Sequence, residues 1–344
     1  MTDANVQEYD LVILGSGAAG KLLSWTMASK GMKTAVIERK YVGGACPNIA
    51  CLPSKNVIHS AKVASYFRRS EEFGIRKDNW TIDMATVRER KRKMVDEVDD
   101  IAEGLYNLLS QEGIKFIMNA QVTRVEGKSG ASVKLNVTHN GSEKVIEGTH
   151  LLVAAGRIPN TAGIGLELAG VETTANGYIK VNDRLETTAA DVWAGGEVAG
   201  SPQFTHISEN DFHVVADNIQ GGKSVTTGRQ VPFVLFTDPE YARIGLSEKE
   251  AKERGIPYRL AKVPFSAVFR AQTIGETYGF MKALIDSNDR IIGFSVLGAE
   301  AGELMGAVQI AMIAKLPYTA LRDAIFAHPT MVEGLIQLFI RVQA

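Results

Sequence analysis

Cys46 and Cys51 are the only thiols in a chain of 344 residues, and four residues separate them. One helical turn plus a bend across that spacing brings two sulfurs to disulfide distance. A cysteine near a helix N-terminus has its thiolate favoured by the helix dipole. One thiol can then exchange with a substrate while the other faces an electron acceptor. Two blander readings stand beside this one, a buried structural pair and half of a zinc site. No further cysteine completes a cysteine-rich zinc site, and no metal is expected. A secreted disulfide scaffold would carry more cysteines, spread along the chain.

The pair needs elements to hold it, and the residues before it supply them. Leu11-Val12-Ile13-Leu14 reads as a strand buried on both faces of a parallel sheet. Gly15-Ser16-Gly17-Ala18-Ala19-Gly20 follows at once, then a helix over Lys21 to Lys30 closed by Gly31, then a strand from Thr34 to Ile37 ending at Glu38 and Arg39. This is a dinucleotide fingerprint in its required strand–helix–strand setting. Gly15 allows the tight turn, Gly17 lets a pyrophosphate approach the backbone, and Gly20 allows close helix–strand packing. The pyrophosphate would sit on the free N–H groups at the helix start. Glu38 stands where a carboxylate accepts hydrogen bonds from ribose hydroxyls.

Further on, residues 56–111 show helical periodicity, and residues 115–146 alternate as an antiparallel meander with turns at Gly127–Gly130 and Asn140–Gly141. Strands are expected over residues 258–263, 279–286 and 291–297, and helices over 301–315 and 318–324. His206 and His213 carry no motif and read as surface or packing residues.

The segment from Gly43 to Lys55, GGACPNIACLPSK, resembles the active-site pattern GG-x-C-x4-C-x-PSK of the pyridine nucleotide-disulfide oxidoreductases, which include glutathione reductase, dihydrolipoamide dehydrogenase and mercuric reductase. The resemblance implies FAD as cofactor. It makes Cys46 the thiol that exchanges with substrate and Cys51 the charge-transfer thiol against the isoalloxazine, with Lys55 near the reactive flavin nitrogen. Gly44 and Ala45 would line the flavin site. The run Leu151 to Asn160, with Ala155 and Gly156, is similar to the family's ATGR-x-PN segment and implies a strand leading out of a nicotinamide domain. Ala194-Gly195-Gly196-Glu197 is similar to its A-x-GD segment, with Glu197 one methylene longer than the family's aspartate. His328-Pro329-Thr330 with Glu333 is similar to HPT-x-x-E. It implies an acid–base histidine that serves the partner subunit's cysteine pair, its ring held by Glu333.

The implied fold class is α/β, a Rossmann-like FAD-binding domain with a parallel sheet and an antiparallel meander, followed by an α+β dimerisation domain. The expected boundaries are residues 1–225 and 226–344. No second glycine fingerprint occurs, since neither Gly196-x3-Gly200 nor Gly293-x4-Gly298 has the pattern or setting. The domain for NADH or NADPH that would interrupt the first domain near residues 110–150 is missing, which puts nicotinamide turnover in question. The function implied is FAD-dependent dithiol–disulfide oxidoreduction by a homodimer, with a small dithiol, a disulfide or a redox protein as substrate. The competing reading is a catalytically impaired FAD-binding dimeric scaffold.

Composition agrees with an ordinary globular protein: 45% of residues are hydrophobic and the net charge is −1, so no global field draws nucleic acid or an anionic membrane. The basic run Arg88–Lys93 is followed by acids and reads as a solvated helix face. No apolar run approaches the length of a membrane span. The start of the chain has no secretory pattern, so a cytoplasmic protein is expected.

Overall fold

The computed structural model describes residues 8–75, 107, 117, 119–153 and 156–343. The chain divides into two compact units, one of Met1–Met94 with Ile158–Ala344 and one of Val95–Arg157.

The first unit opens with strand β1 (Leu11–Leu14), helix α1 (Ala18–Ser29) and strand β2 (Thr34–Ile37), and β1 pairs in parallel with β2. Gly31, at φ +91°, turns the chain after the helix, as a residue without Cβ can. Burial of β1 differs from the sequence expectation. Only Ile13 is buried, while Val12 and Leu14 are exposed. Successive side chains point to opposite faces of a strand, and the face that α1 covers is the one Ile13 enters. A short helix α2 (Ala45–Asn48) and a long helix α3 (Cys51–Arg68) follow.

Helix α4 (Thr205–Ile219) lies against α1, where Met27, Phe212 and Ala216 form a buried cluster. Its other apolar side, Val214 and Val215, packs with Leu185. No sequence pattern marked this helix in advance. His206 and His213 both lie on it and are exposed. The His206 ring stacks on Phe204 at 5.1 Å between centroids, and the His213 ring touches Phe212.

Beyond α4 comes the largest core. Strands β6 (Phe233–Leu235), β7 (Glu240–Gly245), β8 (Arg259–Pro264), β9 (Phe280–Ile285) and β10 (Ile291–Gly298) form an antiparallel sheet in the order β6-β7-β10-β9-β8. Helices α5 (Glu248–Glu253), α6 (Phe269–Thr273), α7 (Ala301–Ile313), α8 (Thr319–Arg322) and α9 (Gly334–Phe339) belong to the same region. Phe265, Phe294, Met281, Leu304, Leu335 and Phe339 are buried together there. Fully burying a side chain of this size contributes about 1.5–3 kcal/mol.

This region is tied to the cysteine-bearing helix. Lys62, on α3, donates to Asp238 Oδ1 and to both Glu276 carboxylate oxygens, each at 2.7 Å. Arg69 donates to the Gly275 carbonyl at 2.7 Å and pairs with Glu276 at 3.4 Å. The Glu276 side chain is nearly buried, at 7% exposure. Burial alone would lower the Lys62 pKa, but the hydrogen bonds to Asp238 and Glu276 hold it above its ordinary value.

The second unit contains the expected meander, with strands β3 (Ala120–Lys128), β4 (Ser132–His139) and β5 (Ser142–Gly148) in that spatial order. Leu151–Val153, expected as a strand, has no regular structure, and it has no ladder partner among the described residues. The expected helical periodicity lies outside the described residues over 76–106, as does the basic run Arg88–Lys93. Among the described residues no helix is long and apolar enough to cross a membrane.

Candidate functional site

The glycine turn is open where a phosphate would approach. A Cβ added at Gly15 or Gly17 would meet nothing within 4 Å. Gly15 sits at φ +92° and donates its N–H to the Ile37 carbonyl at 2.7 Å. Gly20 is tight instead: a Cβ there would lie 2.2 Å from the Gly15 carbonyl oxygen and 3.2 Å from Ile13 Cγ2. Ala18 and Ala19 begin α1, so the N–H groups of its first turn face the opening.

Glu38 has protein partners that the sequence did not suggest. Its Oε2 accepts from Ser16 N at 2.9 Å and Ser16 Oγ at 2.7 Å, and its Oε1 accepts from Lys40 N at 2.7 Å. The Lys40 and Ser16 donors hold its carboxyl down at about 2. Ser16 Oγ also accepts from Gly43 N at 3.0 Å. One hydroxyl thus joins the glycine turn, the end of β2 and the loop that leads to the cysteines. Sequence reasoning passed over Ser16 because it occupies an unspecified position in the fingerprint. Arg39 donates to Asn160 Oδ1 at 3.4 Å.

Gly44 fixes that loop against the turn. It stands at φ +71°, ψ −161°, and a Cβ on it would be 2.7 Å from Gly17 Cα. Ala45 then begins α2, which carries Cys46, and Cys51 is the first residue of α3. Both cysteines are free thiols, half-buried and hydrogen-bonded to each other.

Thr205, the first residue of α4, reaches both sulfurs. Its Oγ1 lies 3.3 Å from Cys51 Sγ and also hydrogen-bonds Cys46. The pair therefore sits where two helices begin, and both dipoles favour a thiolate there. Burial pushes the Cys46 thiol up, the Thr205 hydrogen bond pulls it back, and Cys51 and Glu209 push it further up. Thr205 was missed in the sequence, where its only signal is a hydroxyl residue starting a helix soon after the Gly196-Glu197 segment. Thr205→Val is expected to raise the thiol pKa by about one to two units, since a hydrogen bond to a charged group contributes about 1.5–3 kcal/mol. Thiolate ultraviolet absorbance followed against pH measures this, and Thr205→Ser should restore the native curve.

Lys55 lies one turn beyond Cys51 on the same face of α3. Burial lowers its pKa, and the two cysteines oppose that. Its Nζ stands 4.6 Å from the centre of the Phe236 ring, a cation–π contact.

Gly196 and Glu197 follow a different support. Gly196, at φ +78°, donates its N–H to Asp211 Oδ2 at 2.6 Å, and Glu197 opens a short 3-10 turn over Glu197–Ala199. Gly156, in the other unit, is exposed at φ +90°. Ala155 lies outside the described residues.

His328 and Glu333 form their own cluster. Nδ1 of His328 is 2.9 and 3.0 Å from the two Glu333 carboxylate oxygens, and the Phe269 ring meets the imidazole edge-on at 5.4 Å. The His328 side chain is 63% exposed and that of Glu333 only 16%. Among the described residues no hydrogen bond or ring contact joins His328 to the cysteine pair. The structure thus brings the glycine turn, Glu38, Gly44, the cysteines and Lys55 into one region, and leaves His328 with Glu333 apart from it. No group of three or more His, Cys, Asp or Glu among the described residues could hold a metal ion.

The chain was compared with known proteins. Residues 9–99 and 83–211 match the family profile described as pyridine nucleotide-disulphide oxidoreductase. Residues 231–338 match its dimerisation domain. The chain is 28% identical over 442 aligned positions to the probable pyridine nucleotide-disulfide oxidoreductase RclA of Escherichia coli K12, covering 97% of this chain and 99% of that one. It is 26% identical over 446 positions to the dihydrolipoyl dehydrogenase of Chlamydia pneumoniae, with 95% of each covered. Among solved structures it is similar to the HOCl-induced flavoprotein disulfide reductase RclA of Escherichia coli, with TM-score 0.81 and 28% identity over 97% of this chain and 100% of that one.

Proposed function

This chain belongs to the pyridine nucleotide-disulphide oxidoreductase family, and from that premise we propose how its own residues run FAD-dependent dithiol–disulfide exchange. The observation that carries the reading is the thiol pair, hydrogen-bonded to each other and to Thr205, on a loop whose Gly44 rests against the fingerprint glycine Gly17. The residues fit the cofactor. Gly15 and Gly17 leave an open cradle for a pyrophosphate at the start of α1, and Glu38 is a carboxylate that stays charged down to about pH 2. Arg39, Ala45, Gly196 and Glu197 complete the set we assign to the flavin nucleotide. FAD, when bound, supplies the two-electron acceptor that the thiols lack.

The thiol chemistry follows from their positions. In the oxidised pair, a substrate thiolate attacks Cys46 Sγ, breaks the Cys46–Cys51 bond and releases Cys51 as thiolate. A second substrate thiol then displaces Cys46, so the substrate leaves as a disulfide and both cysteines are reduced. Run in reverse, the same steps reduce a disulfide. Thr205 and the two helix starts stabilise the released thiolate. Lys55, one turn away, adds positive charge beside it.

A homodimer supplies the base. His328 is exposed while Glu333 anchors its Nδ1, which suits an imidazole that works on a second chain. Mixing His328→Ala protomers with Cys46→Ser protomers should restore about a quarter of native activity in statistical heterodimers, whereas each variant alone is inactive. Failure of the mixture to recover any activity would remove His328 from the partner's site.

The domain boundaries near residue 225 and the missing nicotinamide domain belong to the same reading. Alignments with the relatives run over 442 and 446 positions while this chain has 344 residues. A block of the relatives' sequence of roughly domain size has no counterpart here, and no second glycine fingerprint is found. Electrons therefore enter from a small dithiol or a redox protein, in a cytoplasmic setting that keeps thiols reduced. The same gap supports a second reading, an FAD-binding dimer without turnover. One absorbance experiment separates the two. The purified protein should be yellow, and a dithiol should produce a long-wavelength band from a thiolate stacked on the flavin. A yellow protein that gives no band with dithiol supports the second reading. Rapid NADPH or NADH oxidation would overturn the missing-domain assignment.

A further inference from the structure

Asp211 is a carboxylate with no exposure at all, in the middle of α4, and the thiol chemistry above makes no use of it. Its two oxygens have distinct tasks. Oδ2 accepts the Gly196 N–H at 2.6 Å, and Oδ1 accepts from Arg229. Arg229 also donates to Asn210 Oδ1 at 3.1 Å and to Ser201 Oγ at 3.2 Å. Its own side chain is 16% exposed. The loop from Gly195 to Ser201 is thereby held at both ends, by Asp211 near its start and by Arg229 near its finish.

The packing beneath the loop is equally close. A Cβ on Gly195 would lie 3.3 Å from Asp211 Cβ and 3.8 Å from Ala19 Cβ. A Cβ on Gly196 would lie 3.0 Å from Ser208 Oγ. Asp211 therefore stands directly under the loop, and Ala19 of the fingerprint helix borders the space a side chain at Gly195 would need. A buried carboxylate costs several kcal/mol unless it is paired and hydrogen-bonded. Here that burial places a charge-assisted acceptor at one backbone N–H, that of the residue before Glu197.

We propose that Asp211, clamped by Arg229, is a positioning residue for the flavin half of the cofactor: it sets the height of Gly196-Glu197 over the start of α1 and so aims the Glu197 carboxylate. The inference rests on the FAD reading above. Asp211 itself touches no ligand in this scheme and acts through the Gly196 backbone. The adenosine half, held by the glycine turn and Glu38, is independent of it.

The test compares two probes on the full-length chain, FAD followed by flavin fluorescence and AMP followed by calorimetry. Asp211→Ala should weaken FAD about tenfold or more, the loss of one charge-assisted hydrogen bond, and leave AMP affinity unchanged. Asp211→Asn retains an acceptor for Gly196 and should lose less. Arg229→Gln, which leaves Asp211 in place without its clamp, should fall between them and serves as the deciding variant where Asp211→Ala does not fold. Equal weakening of FAD and AMP makes Asp211 a merely structural residue and overturns the proposal, as does unchanged FAD affinity in Arg229→Gln. A wild-type chain that binds no FAD refutes the cofactor reading itself, which is a separate outcome.

Discussion

Cys51→Ser is expected to abolish dithiol oxidation and remove the long-wavelength band, with flavin content at the native level. A serine at the head of α3 keeps the helix start and a hydrogen bond to Thr205, so the fold and the cradle survive. It cannot form the disulfide or release a thiolate. Removing a covalent participant of this kind costs at least about 10³-fold in rate. Cys46→Ser should behave differently. It should also stop turnover, but leave Cys51 to give the band, now without dithiol. Absorbance spectra of the two variants side by side decide the division of roles. A band that survives in Cys51→Ser and vanishes in Cys46→Ser would exchange the assignments of the two sulfurs.

Gly44→Ala and Gly17→Ala separate two functions of the same backbone. Gly44 occupies φ +71°, ψ −161°, a region open essentially only to glycine, where other residues cost about 1–3 kcal/mol. Its added Cβ would also press to 2.7 Å from Gly17 Cα, and backbone cannot step aside as a flexible side chain would. Overpacking adds about 1–3 kcal/mol. Gly44→Ala should therefore lower the melting temperature of the cofactor-free protein by several degrees and displace the cysteine loop. At Gly17 the φ is an ordinary −60° and an added Cβ meets open space. Gly17→Ala should melt like the native cofactor-free protein yet fail to retain FAD, because the methyl fills the room a pyrophosphate needs. Scanning calorimetry with and without FAD checks both. Equal loss of stability in the two variants would refute the cradle.

The contrast shows what the sequence could disclose. The fingerprint glycines were legible because each has one steric reason for its residue type, and the cysteine segment because it resembles the family pattern. The three strands of the C-terminal sheet that were expected, β8 to β10, were legible from apolar runs between turns. Helix α4 was not. Its residues Thr205 to Ile219 mix buried Asp211 and Asn218 with buried valines, so neither an apolar period nor a motif announced it. Thr205 and Asp211 were hidden with it, since each acts through a neighbour far away in the chain. Burial of β1 was overestimated because a run of four apolar residues does not say how many layers cover it. The bonds of Glu38 to Ser16 and Lys40 were not legible, because they depend on how the loop after β2 folds back, which spacing alone does not encode.

The link from Lys62 to Asp238 and Glu276 has a mechanical consequence. Helix α3 carries Cys51 and Lys55 at one end and this ionic staple three turns later, so the sulfurs are geared to the half of the chain that matches a dimerisation domain. Any displacement of that half would be carried along the helix shaft to the two sulfurs.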